Sequence, residues 1–253
     1  MSLEGKTVLV TGASRGIGAA IATALGAAGA GVISHYGAHR EGAVEALAGV
    51  PDERTTYVQR DLVEPGAGRA LWRDAVTLRP RIDVVVANAG IAPETPFDGP
   101  EQEWDTGWEQ TMRVNVFETA NLIREAVAHF RANGGGIVIT ISSWAAQQGS
   151  ALPQLPAYAA SKAAVKALTQ TVARNFANDN VLAYVVAPGI VRTRMSEISA
   201  VARGGMDKVL AILPLGEMVP PEEVASVVVF LAGGTCRHLT GATIDVNGAA
   251  YVR

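Results

Sequence analysis

The chain has 253 residues, of which 49% are hydrophobic, 18% charged and 6% aromatic, and its formal net charge is −3. Such a composition excludes disorder and supplies enough apolar side chain for a sizeable core. The slight acidic balance and the lack of a basic stripe argue against a nucleic-acid partner, whose phosphates need clustered Lys and Arg. Cys236 is the single cysteine, which removes an intrachain disulfide and a thiolate zinc site, and no metal is expected. No apolar run approaches the roughly 18 residues that cross a bilayer, and the first residues lack the pattern of a secretory signal. The expectation is a cytoplasmic protein with no membrane partner.

Short β-branched runs at 7–11, 31–36, 55–60, 82–87, 136–141, 181–187 and 242–246 predict strands, with helix-like segments between them. Nearly continuous apolar strands joined by helices imply parallel pairing, hence an α/β fold: a Rossmann-like, doubly wound, seven-stranded parallel sheet with helices on both faces. Nothing divides the chain, so residues 1–253 read as one domain. Ile17, Ile21, Leu25 and Ala28 recur at helical spacing with Gly29 placed to end that helix. The two longest helices are expected at 101–131 and 156–177, with Trp104, Trp108 and Met112 as packing residues of the first. Residues 193–214 read as a long mixed connection, with the character of a mobile lid, before the next helix at Pro220.

Directly after the first strand comes Thr11-Gly12-Ala13-Ser14-Arg15-Gly16-Ile17-Gly18, leading into a helix. Gly12 and Gly16 permit a sharp turn close to a pyrophosphate, Gly18 permits close helix packing, and the helix N-terminus offers free N–H groups. The choice between nicotinamide dinucleotides falls at the end of the second strand, where a carboxylate would hold a ribose hydroxyl. Tyr36 stands there instead, with Arg15, His39 and Arg40 nearby as partners for a 2′-phosphate. NADP(H) is favoured, and NAD(H) is the alternative.

Tyr158 and Lys162 lie four apart in a helical segment, so their side chains share a face. An ammonium beside a phenol stabilises the phenolate and would move the tyrosine toward working pH. Upstream, Ser142 and Ser143 end the fifth strand, on the side of the sheet where ligands bind. Either hydroxyl can hold a carbonyl oxygen.

Taken in order, Gly12, Gly16, Gly18, Asp61, Asn88-Ala89-Gly90, Asn115, Ser143, Tyr158, Lys162 and Pro188-Gly189 resemble the classical short-chain dehydrogenase/reductase family over essentially the whole chain. The resemblance implies a catalytic set of Asn115, Ser143, Tyr158 and Lys162. Tyr158 would exchange the proton, Ser143 orient the carbonyl, Lys162 also hold the nicotinamide ribose, and Asn115 support a relay water. It implies cofactor contacts from Gly12, Ser14, Arg15, Gly16, Ile17, Gly18, Tyr36, Asp61, Leu62, Asn88, Ala89, Gly90, Tyr158, Lys162, Pro188, Gly189, Val191 and Thr193. It also implies a homo-oligomer, a tetramer, built through the two long helices.

Three positions depart from the family pattern: Ala87 precedes Asn88 where a second asparagine is common, Asn247 stands where aspartate is common, and the loop between Ser143 and Tyr158 is enlarged. Pocket walls are expected from Trp144, Gln147, Gln148, the 150–156 loop and Met195. The expected reaction interconverts a small ketone and a secondary alcohol. A 3-oxoacyl-[acyl-carrier-protein] reductase is the runner-up, disfavoured because Asn121 and Asp179 stand where carrier-linked relatives place cations. A non-catalytic NADP(H)-binding sensor or scaffold is the alternative of another class.

Overall fold

The protein is described by a computed structural model that covers residues 2–202 and 204–252. Seven strands form one parallel sheet: β1 (Thr7–Val10), β2 (Gly31–Tyr36), β3 (Thr55–Gln59), β4 (Val84–Ala87), β5 (Gly136–Ile141), β6 (Val181–Pro188) and β7 (Thr243–Val246). Their order across the sheet is β3-β2-β1-β4-β5-β6-β7. The chain thus builds outward from β1 in one direction, returns to β4 and builds outward in the other. A crevice opens at the carboxyl ends of β1 and β4, where that direction reverses.

Alternation along buried strands feeds two cores. Val84 and Val86 of β4 enter one with Ile137 and Ile139 of β5, beneath helices α1 (Gly16–Ala27) and α10 (Pro221–Gly233), while Val85 and Val138 enter the other. That second core lies against α3 (Ala67–Leu78), α5 (Thr119–Ala132) and α7 (Pro156–Phe176). Parallel strands covered on both faces need no polar side, which is why β4 reads Val-Val-Val-Ala and is buried throughout. Short helices α2 (Arg40–Glu45) and α6 (Ala145–Gln148) follow β2 and β5. No helix of the described residues is long and apolar enough to cross a membrane.

Two stretches differ from the sequence reading. The expected helix at 101–131 is α4 (Glu101–Met112) and α5 joined by a π-helical turn, Arg113–Glu118. Trp104 and Trp108 on α4 pack as tilted rings against each other and the exposed Phe97, with centroids 5.6 and 5.3 Å apart, and belong to neither core. The connection at 193–214 holds two helices, α8 (Arg194–Ala202) and α9 (Met206–Ala211). Its mixed composition hid them, because α8 presents Met195 and Ile198 to solvent and so lacks the usual one-sided pattern.

Candidate active site

The glycine turn hangs between β1 and β4. The Thr11 hydroxyl accepts from the backbone N–H groups of Asn88 and Ala89 at 2.9 and 3.0 Å, and the Asn88 side chain donates back to the carbonyls of Thr11 and Gly12. Gly12 and Gly16 have φ of +65° and +55°, a region that favours glycine. A Cβ on Gly18 would lie 2.1 Å from the Gly12 carbonyl oxygen, so α1 can approach the turn only without a side chain there. Helix α1 has neither a side-chain N-cap nor an acidic residue in its first turn. Its free N–H groups and dipole therefore suit an anion, and the cradle fits a dinucleotide diphosphate.

Gly12, Ser14, Arg15, Gly16, Ile17 and Gly18 all line the cleft, as do Asp61, Leu62, Asn88, Ala89, Gly90, Pro188, Gly189, Val191 and Thr193. Tyr36 does not. Strand alternation turns its ring into the protein, where it is buried, and presents His35 to the cleft, followed by Gly37, Ala38 and His39. Arg40 is also directed elsewhere, its guanidinium lying over the Tyr57 ring at 6.0 Å. Arg15 and His39 remain as basic side chains at this end, where Arg60 also lines the cleft but is ion-paired with Asp74. His35 escaped the sequence reading because a histidine next to the expected residue carries no motif.

At the other end, α7 begins on Pro156 and carries Tyr158 and Lys162 on one face. Lys162 is buried, and its Nζ donates to the Ile141 carbonyl at 2.9 Å while standing 5.7 Å from the Tyr158 ring centre. Burial lowers its pKa to about 8. The Tyr158 phenol is raised by desolvation, with a hydrogen bond from Ser143 acting the other way. The sequence reading expects Lys162 to bring this pKa down; the net direction is instead upward, because loss of water around the phenol outweighs the Ser143 hydrogen bond.

Ser142 and Ser143 separate cleanly, since the Ser142 hydroxyl is spent on the Lys162 carbonyl at 2.9 Å and Ser143 faces Tyr158. Asn115 sits in the π turn behind the cleft wall and does not line the cleft itself. Its side chain bonds both N–H and carbonyl of Ile91 at 2.9 Å and the Ser161 hydroxyl at 3.0 Å. It is thereby fixed behind Gly90, where a Cβ would meet both Asn115 Oδ1 and Lys162 Nζ at 3.3 Å.

The cleft encloses about 1080 Å3 and continues past Tyr158 into an apolar wing. Trp144, Met195 and the enlarged loop, through Leu152, Gln154 and Leu155, line it as expected, and Ile190 and Ile198 join them. Gln147 and Gln148 do not, and Gln147 is instead hydrogen-bonded to Lys166. Ile190 and Ile198 went unnoticed because single isoleucines in a mixed segment look like packing.

A family model described as Enoyl-(Acyl carrier protein) reductase matches residues 12–249, nearly the whole chain. The chain belongs to the classical short-chain dehydrogenase/reductase family. As such it is a nicotinamide-dependent oxidoreductase acting between alcohol and carbonyl groups. Among short-chain dehydrogenase/reductase relatives, 3beta-hydroxysteroid dehydrogenase 1 of Eggerthella lenta is 32% identical over 97% of this chain and 94% of its own. The 3-oxoacyl-[acyl-carrier-protein] reductase of Thermotoga maritima is 31% identical over the full length of both. A crystal structure of a 3-oxoacyl (acyl-carrier-protein) reductase from Agrobacterium tumefaciens with NADP bound superimposes with a TM-score of 0.87 at 33% identity, covering 98% of this chain and 95% of that one.

Proposed function

We propose that this protein is an NADP(H)-dependent oxidoreductase that interconverts a free, largely apolar ketone and its secondary alcohol, with Tyr158 as acid and base. The observation that carries this reading is the Tyr158 phenol beside Ser143 on the wall of the cleft, at the carboxyl end of β5. A protonated phenol is the form that a carbonyl reduction consumes. Ser143 would hold the carbonyl oxygen and Tyr158 deliver a proton to it as charge develops there, while Asn115, bonded to Ile91 and Ser161, would support the wall behind Gly90 and Lys162. The bound cofactor supplies the hydride to the carbonyl carbon.

Gly12, Ser14, Arg15, Gly16, Ile17 and Gly18 would hold the diphosphate, and Asp61 and Leu62 the adenine. Asn88, Ala89, Gly90, Pro188, Gly189, Val191 and Thr193 would line the nicotinamide half, with Lys162 on its ribose. Arg15 and His39 at an end of the cleft without a β2 carboxylate favour a 2′-phosphate, hence NADP(H) over NAD(H). The NADP in the Agrobacterium structure supports the same choice.

A carrier-linked 3-oxoacyl substrate would need basic docking groups, yet Arg131 is engaged by Asp179 at 2.6 Å and Asn121 by Glu118. The apolar wing favours a free ketone over that substrate. We further propose one catalytic domain over residues 1–253, a homotetramer through the faces of α4, α5 and α7, and a cytoplasmic location. The test is turnover of NADPH and NADH against free ketones and a carrier-linked 3-oxoacyl substrate. Faster oxidation of NADPH with the free ketones supports the reading. Cofactor binding with no turnover of any compound would favour a sensor or scaffold.

A further inference from the structure

His35 is a histidine only 2% exposed, at the carboxyl end of β2, with an edge on the cleft. Both ring nitrogens are occupied. Nδ1 faces the backbone N–H of Gly12 at 3.1 Å, and Nε2 faces the Arg60 carbonyl at 2.9 Å. An N–H only donates and a carbonyl only accepts, so a single form satisfies both contacts: the neutral imidazole with its proton on Nε2. The His35 backbone carbonyl accepts from Ala13 N–H at 2.9 Å. Consecutive amides of the glycine turn are therefore held by one residue of β2, while Asn88 of the β4 side holds the carbonyls of Thr11 and Gly12.

Gly12 is the turn's first left-handed residue, and its carbonyl is the group against which Gly18 packs. Arg60 immediately precedes Asp61. One ring thus couples the diphosphate cradle to the segment proposed to meet the adenine.

We propose that His35 is the positioning residue of the cofactor site: its neutral ring sets the glycine turn and the end of β3 in register, so that the adenosine half of the cleft is formed before the dinucleotide arrives. This rests on the reading of the cleft as a nicotinamide-cofactor site. A second ring proton would set an N–H against the Gly12 N–H and break the clasp. Burial holds the His35 pKa down to about 4; the Arg60 carbonyl and the Asp61 carboxylate pull it up, and the Arg60 guanidinium pushes it down. From the loop after β2, His39 is turned against Gly42. The clasp therefore stays closed through the neutral and mildly acidic range.

Two variants separate positioning from mere packing. His35→Gln offers an oxygen to Gly12 and an amide N–H to Arg60 without titrating, whereas His35→Leu leaves the Gly12 donor buried without an acceptor. Calorimetric titration with NADP+ at pH 7.5 should show affinity weakened about tenfold or more in His35→Leu and within about threefold of wild type in His35→Gln. In steady-state assays the loss in His35→Leu should fall on the cofactor KM, not on kcat at saturating NADPH.

Nitrogen-15 spectra of histidine-labelled wild type should show His35 neutral with its proton on Nε2 at pH 6, where an exposed histidine is largely charged. This readout and the glutamine variant decide the matter even if His35→Leu does not fold. A charged ring or a proton on Nδ1 at pH 6, unchanged affinity in His35→Leu, or a His35→Gln that binds tenfold more weakly than wild type would each overturn the proposal. Wild-type protein that binds no dinucleotide would instead overturn the cofactor reading.

Discussion

Glu118 carries a sharp stability prediction. Its carboxylate is fully buried in the π turn and accepts from the backbone N–H groups of Gly66 and Gly68 at 3.0 and 2.9 Å and from Asn121 at 3.1 Å, with Arg113 at 3.6 Å. Burial alone would raise its pKa, but the Gly68 N–H, the Asn121 amide, the Gly66 N–H and Arg113 together take it below the ordinary value. Removing the carboxylate leaves two donors at the start of α3 unmet, the Gly68 N–H fully buried and the Gly66 N–H partly so. Glu118→Ala should therefore cost about 3–5 kcal/mol, the range for losing one partner of a buried charged cluster. For a domain of this size that corresponds to a fall in melting temperature of roughly 6–20 °C.

Glu118→Gln keeps one acceptor and should lose less. A group with a depressed folded pKa contributes its full stability above its unfolded value and loses it as pH falls through the folded one. The gap between wild type and Glu118→Gln should then be widest at neutral pH and close below about pH 4.3. Thermal and urea unfolding at fixed protein concentration measure both effects. A Glu118→Ala protein melting within about 2 °C of wild type, or a gap that does not change with pH, would refute the reasoning.

Three further outcomes are expected. Tyr158→Phe should lower kcat by about 10²- to 10⁴-fold while NADP(H) titration stays close to wild type, because the ring remains and only the proton donor is lost. Lys162→Met should melt no lower than wild type at pH 7, since it removes a buried ammonium, and that advantage should shrink from about pH 8 upward toward the ordinary lysine value, as thermal melts across pH would record. Gly18→Ala drives a Cβ toward the Gly12 carbonyl and should abolish cofactor binding by calorimetry even where the circular dichroism of the fold survives.

Much of the architecture was legible in the sequence because buried parallel strands announce themselves: every expected strand appears within two residues of its range. The glycine turn, Asn88-Ala89-Gly90, Ser143, Tyr158 and Lys162 were legible for the same local reason, each falling at the end of a strand or on one helical face. What was not legible depends on partners distant in sequence. Only the alternation of β2 against its neighbours decides that His35, and not Tyr36, meets the cleft. Arg40 is drawn to Tyr57 on β3, seventeen residues further along the chain, which no motif encodes. Within the π turn Asn115 is bonded to Ile91 and Glu118 to the start of α3, and neither bond has a signature in local spacing.

The strand order carries a separate consequence. Because the sheet grows from β1 to β3 on one side and from β4 to β7 on the other, the crevice is a seam between strands encoded by the early and the later parts of the chain, bridged beneath by the core that α1 and α10 share. A ligand spanning it acts as a suture, so its binding energy should cross-link the unfolding of both halves, whereas an adenosine fragment confined to one side should protect only that side from hydrogen exchange. Comparing whole dinucleotide with such a fragment would turn the topology of the sheet into a map of local unfolding.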